Sequence, residues 1–379
     1  MCSSDLPIVP LGAPGAPPRT RVAADRSHPW FAVVAAGTVG AVLAGIGVVA
    51  LGIGERVVDR PVTERVALNP VAAAPGLSGG QVQGIRRLVA PGVVGIGTPV
   101  AKTKGGGKDA GELIGSGVVV RNDGIVVTSA SLLTSGDVWV RLPDGNSVVG
   151  NVVGSDPLTG LGVLDLRGEG YTPSVLAAQG DLVDGETSYG VTARAAGGTT
   201  TATGLVGAAQ RYVGPTGAAI DGVEVAGKAE TLALGGALAD PRGAVVGVTT
   251  AVEGSDSWYV MPVEVVDKVT KDLLRDGRVH GCWLGIEGSD VPDPSKAGST
   301  SGGGTIVTSV VDDSPAAVGG LHVGDTVVAL DERPIGEMPA LNVALRAHSP
   351  GDHVDVRVHR PDGATETLVL TLAEQRSRV

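Results

Sequence analysis

Residues 115–166 read GSGVVVRNDGIVVTSASLLTSGDVWVRLPDGNSVVGNVVGSDPLTGLGVLDL. Runs rich in Val, Ile and Trp alternate with Asn122-Asp123-Gly124, Pro143-Asp144-Gly145 and Ser155-Asp156-Pro157. β-Branched side chains fit a pleated strand, and Asp-Gly or Asn-Asp-Gly supplies the backbone of a tight reversal. The stretch therefore predicts antiparallel strands joined by short turns. The pattern extends to both sides, from Gly92–Thr98 to about Leu176. A second set runs from Asp184 through Val206, then Val223–Ala226, Thr231–Leu238, Ala244–Ala251 and Trp258–Met261. Gln81–Val89 is read as a short helix. Pro262–Arg275 has apolar residues at helical spacing behind a proline suited to a helix start. Two runs of strands closed by a helix predict a pair of β-barrels.

Composition narrows the function. A chain of 379 residues allows about two domains. Its 60 glycines follow no triplet period, which excludes collagen. Aromatic residues are scarce at 2%, so the cores must be Val, Leu, Ile and Ala. A net charge of −11 argues against nucleic-acid binding, which needs a basic surface to neutralise phosphates. Cys2 and Cys282 fall on opposite sides of an apolar segment and offer neither a disulfide nor a metal-ligand spacing, so no metal or other cofactor is expected.

Residues 1–29, rich in Pro, Ala, Ser and Gly, are expected to form a disordered tail. Residues 31–53 (FAVVAAGTVGAVLAGIGVVALGI) carry no charge. As a helix they would cover roughly 35 Å, enough to cross a bilayer with some tilt. A cleaved signal peptide is the rival, since Ala72-Ala73-Ala74 follows, but the apolar run is long and far from Met1. Arg19, Arg21 and Arg26 before it balance Arg56, Arg60 and Arg65 after it, so charge does not orient the span. Residues 54–80 are read as a tether. Lys102–Lys108 (KTKGGGK) lacks the Gly-Lys-Ser/Thr ending of a phosphate loop and is read as a flexible loop.

The Gly115-Ser116-Gly117 strand, the Asp123-Gly124 turn, Thr128-Ser129-Ala130-Ser131, and Gly154-Ser155-Asp156-Pro157 before Leu161-Gly162-Val163-Leu164 occur in an order that resembles the HtrA family, trypsin-like serine proteases of the cell envelope. The resemblance implies a double β-barrel over residues 81–277, a short tail inside the cell and the bulk of the chain outside it. It also locates the triad. Ser131 stands at the histidine position, Gly160 at the aspartate position, and Leu234, within Leu232–Leu238, at the nucleophile. Such a protease needs a hydroxyl, an imidazole, a carboxylate to orient it and donors for the oxyanion. Leu234 has no nucleophilic atom, and Leu232 replaces the glycine of the oxyanion loop. All six histidines (His28, His280, His322, His348, His353 and His359) lie outside residues 29–279. A Ser131–Lys228 dyad is the one remaining pairing, and it would require a buried lysine.

From His280 onward the chain resembles the PDZ domain that follows the protease in HtrA proteins. The carrying segments are Gly281–Ile286, Asp313-Ser314-Pro315-Ala316-Ala317, Gly320–Asp325, Val327–Leu330 and Val354–Arg360. Over residues 280–373 this implies an α+β peptide-binding module. Trp283, Leu284, Gly285 and Ile286 would form its carboxylate-binding loop, because successive backbone N–H groups around a glycine make an anion nest. A groove helix is expected at about Met338–His348, with Leu341 and Leu345 on one face and Asn342 bordering the groove; packing beneath the sheet is an equal reading for the two leucines. Glu287–Gly304 is Gly/Ser-rich and is read as a mobile loop.

The expected protein is mainly β, a trypsin-like double barrel followed by an α+β PDZ domain, with one N-terminal transmembrane helix. Its expected role is that of an HtrA-like pseudoprotease. It would be anchored in the plasma membrane through residues 31–53, capture protein C-termini or unfolded peptides, and associate with its own copies or with an active relative. The rivals are a divergent serine endopeptidase and a structural envelope protein whose groove stays unused.

Overall fold

The structure, a computed structural model, describes residues 79–99, 112–133, 136–178, 182–214, 219–228, 233–291 and 303–375. The expected tail, membrane helix and almost all of the tether lie outside these residues, as do the KTKGGGK loop and Leu232. Among the described residues no helix is long and apolar enough to cross a membrane. All of them fall within one compact unit, Leu68–Val379.

The chain enters through helix α1 (Gly79–Val89), which begins inside the range expected for the tether and buries Ile85 and Val89. Strands β1 (Val93–Pro99), β2 (Leu113–Val119), β3 (Ile125–Ser129), β4 (Val138–Arg141), β5 (Ser147–Asp156) and β6 (Leu161–Asp165) close into a barrel in the order β1-β2-β3-β6-β5-β4. A second barrel follows: β7 (Thr187–Ala193), β8 (Thr199–Val213), β9 (Ala219–Gly227), β10 (Ala237–Ala239), β11 (Val245–Glu253) and β12 (Ser257–Pro262), ordered β10-β11-β12-β9-β8-β7. Closure removes the free edges that an open antiparallel sheet would expose.

Burial follows from this layout. β4 faces one barrel interior and alternates buried Val138 and Val140 with half-buried Trp139 and Arg141. β3 is buried at every residue because barrel two's β11 packs against it. That contact holds the loop after β3 in the cleft between the barrels.

Helix α2 (Val263–Asp276) closes the pair. It buries Val265, Val266, Val269 and Leu273 against both barrels and ends at Gly277 in the left-handed conformation. Its buried Lys268 donates to Asp272 at 2.5 Å and to the His280 carbonyl at 3.1 Å, which fixes the exit towards the next domain.

The last domain contains β13 (Cys282–Trp283), β14 (Ile286–Val291), β15 (Gly304–Val310), α3 (Pro315–Val318), β16 (Thr326–Leu330), β17 (Arg333–Pro334), α4 (Met338–Leu345), β18 (His353–His359), β19 (Thr365–Thr371) and β20 (Ala373–Glu374). Its main sheet runs β14-β15-β16-β18-β19, with β17 beside β16 and β13 paired to β20 apart from it. β18 reads His-Val-Asp-Val-Arg-Val-His and buries each valine in turn. The loop expected over Glu287–Gly304 is corrected at its start. Glu287–Val291 continue β14 and pair antiparallel with β15, because main-chain pairing to a formed neighbour outweighs the weak strand preference of Gly, Ser and Asp.

Candidate functional site

Each of the three positions that the sequence singled out lies at the seam between the barrels. β3 leads into a single 3-10 turn, Ala130–Leu132, which presents Ser131 to solvent. Ser131 Oγ lies 2.8 Å from Ser129 Oγ. The buried Ser129 hydroxyl donates its own hydrogen to the Thr250 carbonyl at 2.8 Å, so Ser131 is the donor to Ser129. A hydroxyl with that bond is an anchored polar group, and among the described residues no basic side chain bonds to it. Lys228, the base that a dyad with Ser131 would need, is exposed.

Gly160 is tied to the same turn, its carbonyl accepting from the Ala130 amide at 2.7 Å. Asp156 builds the loop ahead of it, its carboxylate accepting from the Thr159 hydroxyl at 2.7 Å and the Thr159 amide at 3.1 Å. Gly160 itself has φ +68°, and a Cβ placed there would sit 2.6 Å from Ile220 Cδ1 and 3.2 Å from Thr250 Cβ. The volume an acidic side chain would need is occupied by Ile220 of β9. Nothing local in the sequence announced Ile220.

Leu234 precedes β10. Its carbonyl accepts from the Ser116 amide at 2.8 Å, and its half-buried side chain packs on barrel one's core of Val94, Ile96, Leu132 and their neighbours. An apolar contact therefore occupies the position that the sequence aligned with a nucleophile. The following Gly235 (φ +74°) donates its amide to Thr249 at 2.7 Å and keeps the tight turn.

The second candidate region is the groove beside β14, whose outer edge has no strand partner among the described residues. Trp283 lies in β13, Leu284 is buried, and Gly285 (φ +88°) accepts from the Val311 amide at 2.9 Å, with Ile286 opening β14. Ser314 caps α3 and packs against Gly285, which supports the loop. Leu341 and Leu345 point into the PDZ core with Leu284, Val307 and Val356. Asn342 is held by barrel two, its Nδ2 donating to Asp221 Oδ2 at 3.0 Å. Cys282, the one described cysteine, donates Sγ–H to the His348 carbonyl at 3.0 Å, and burial pushes its thiol up to about 12.

Glu337, immediately before α4, is crowded by burial and by three other carboxylates: Asp290 of β14, Asp184 ahead of β7 and Glu224 of β9. Together they push its carboxyl from 4.5 up to about 7. The folded value lies above the unfolded one, so the folded state holds this proton more tightly. The resulting stabilisation is complete below about pH 4.5 and is lost as pH rises through about 7. Glu337→Gln cannot ionise. Its urea midpoint is expected to fall less than that of the unaltered chain between about pH 5 and pH 8. Parallel pH profiles would show that this carboxyl does not contribute.

A trypsin-like peptidase domain model matches residues 115–248, and a PDZ domain model matches residues 283–372. This order, a trypsin-like peptidase domain followed by a C-terminal PDZ domain, resembles the HtrA arrangement. Among curated proteins it is 27% identical over 282 residues to "Probable periplasmic serine endoprotease DegP-like" of Ectopseudomonas mendocina, covering 72% of this chain and 58% of that one. It is 26% identical over 334 residues to "Serine protease PepD" of Mycobacterium tuberculosis, covering 80% of this chain and 68% of that one. The chain thus spans little more than half the length of the first of these relatives. Among solved structures, "HtrA-type protease AlgW with tripeptide" superposes with a TM-score of 0.53 at 22% identity, over 78% of this chain and 98% of that one, a likeness of fold.

Proposed function

We propose that this chain is a membrane-anchored HtrA-like pseudoprotease that captures exposed peptide C-termini through its PDZ domain outside the cytoplasm. The carrying observation is the state of the cleft: a leucine packed at the nucleophile position and Ile220 in the space of the triad carboxylate. The absence of histidine from residues 29–279 agrees with it. Peptide capture is supported by the edge of β14, which has no strand partner among the described residues, beside a left-handed Gly285, the geometry that β-strand addition and carboxylate binding use. Anchoring rests on the uncharged residues 31–53, and the word periplasmic in the first relative's name favours an extracytoplasmic location.

A serine endopeptidase is the second reading. Both relatives are named as proteases, and those names favour catalysis over its loss. The two readings separate in one preparation. Full-length chain in detergent is treated with a fluorophosphonate probe and with unfolded casein, then titrated with decapeptides ending in a free hydrophobic carboxylate. Absence of labelling and cleavage, together with micromolar capture that fails for C-terminal amides, is the expected result. Casein cleavage abolished by Ser131→Ala would sink the proposal.

A further inference from the structure

Two carboxylates and a buried hydroxyl meet at the end of β14 farthest from Gly285. Residues directly opposite each other in an antiparallel pair project from the same face, and Asp290 of β14 pairs with Thr305 of β15. Thr305 is wholly buried, and its hydroxyl has no hydrogen-bond partner among the described residues. Its methyl takes the space into which a Cβ of Gly288 would project, so the side chain lies beneath that face of β14. Asp290 Oδ1 accepts from the Met338 amide at 2.6 Å, which brings the half-buried Glu337, the residue before it, to the same place. The charges that act on Glu337 are all negative: Asp290, Asp184 and Glu224. Arg211 of β8 acts on Asp290, but its guanidinium is committed to Asp221 at 2.7 and 3.0 Å.

A peptide whose C-terminal carboxylate rests at Gly285 and Ile286 must run antiparallel along the edge of β14. Its last residue then stands opposite Ile286, the residue two before it opposite Gly288, and the residue four before it opposite Asp290. That fourth side chain emerges on the face shared by Asp290, Glu337 and Thr305. We infer that Asp290 and Glu337 select peptides with lysine or arginine four residues before the C-terminal one, its cationic head bridging the two carboxylates above the Thr305 hydroxyl. This rests on the peptide-capture reading above and names the ligand: a basic residue followed by four more, the last with a free carboxylate. Burial and the three acidic neighbours push the Glu337 carboxyl up to about 7. An arriving cation favours the ionised form, so binding below that pH must expel a proton. The preference for a basic residue therefore grows as pH rises from about 6 to about 8.

The full-length chain is titrated with fluorescein-labelled pools of decapeptides ending in free Leu, Val or Phe, with C-terminal amides as controls. Three versions carry lysine, norleucine or glutamate four residues before the last. Lysine is expected to bind about tenfold tighter than norleucine at pH ~8, glutamate weaker than both, and the lysine factor to shrink at pH ~6. In the double variant Asp290→Asn, Glu337→Gln the lysine-to-norleucine ratio should fall to about one at either pH. Asn at 290 keeps an acceptor for the Met338 amide, and the peptide comparison on the unaltered chain stands even where the variant fails to fold. Equal affinity for the three versions would overturn the selection and leave capture intact. A lysine preference that survives in the folded double variant would overturn the assignment to Asp290 and Glu337. No binding by any free-carboxylate peptide, or binding that the amides match, would overturn the capture reading and the selection with it.

Discussion

Combining Ser131→His, Gly160→Asp and Leu234→Ser in one chain is expected to leave peptide-bond hydrolysis at the background rate. Two of the positions are close enough to suggest otherwise, since Ala130 joins the turn of Ser131 to Gly160 through a 2.7 Å bond. The obstacle lies at position 160. Its φ of +68° costs an ordinary side chain about 1–2 kcal/mol, less for Asp, and the new Cβ would meet Ile220 Cδ1 at 2.6 Å. The carboxylate would either be expelled from the cleft or force β9 outward. An imidazole without its orienting carboxylate loses roughly four orders of magnitude in turnover in serine proteases. Adding Ile220→Ala clears the contact, so the fourfold variant should label with a fluorophosphonate where the triple variant does not, while Leu232 in the oxyanion loop keeps its turnover of casein slow. Efficient cleavage by the triple variant alone would show that the side chain of Ile220 yields easily, and would remove the reason for calling the site closed.

Much of this molecule was legible because its information is local. Asn122-Asp123-Gly124 and Pro143-Asp144-Gly145 mark turns whatever surrounds them, and the alternation along β18 reports a sheet with one buried face. The assignment of Ser131, Gly160 and Leu234 to triad positions rests on the register of their flanking segments and stays a proposal. What the sequence concealed is long-range. Ile220 sits 60 residues from Gly160 and meets it only because β9 closes the second barrel against the cleft. Asp221, its neighbour in sequence, points towards α4 more than a hundred residues away. Neither residue belongs to a motif, and adjacent residues of one strand face opposite ways, which is how β9 serves both sites. Glu287–Val291, the start of the Gly/Ser-rich run, form strand because pairing with β15 decides it, and pairing is not written in the run itself.

Gly235→Ala is expected to destabilise the chain by on the order of 4 kcal/mol, a large share of a typical domain's stability. At φ +74° an alanine is strained, and its Cβ would lie 2.0 Å from the Ser116 carbonyl oxygen and 2.3 Å from Thr128 Oγ1. Those two atoms are wholly buried and bonded to each other at 2.6 Å. The intruding methyl must break that bond and leave two polar groups unpaired where water cannot reach them, besides pushing β2 and β10 apart. Gly145→Ala provides the control. Its φ is +90° but no atom lies within 4 Å of the added Cβ, so it should cost only about 1 kcal/mol of backbone strain. Urea unfolding at constant m-value separates the two. Equal midpoints would mean that the turn after Leu234 can relax away from Ser116. The seam between the barrels would then be soft, and a side chain as large as Leu234 would not need a pre-formed space to occupy.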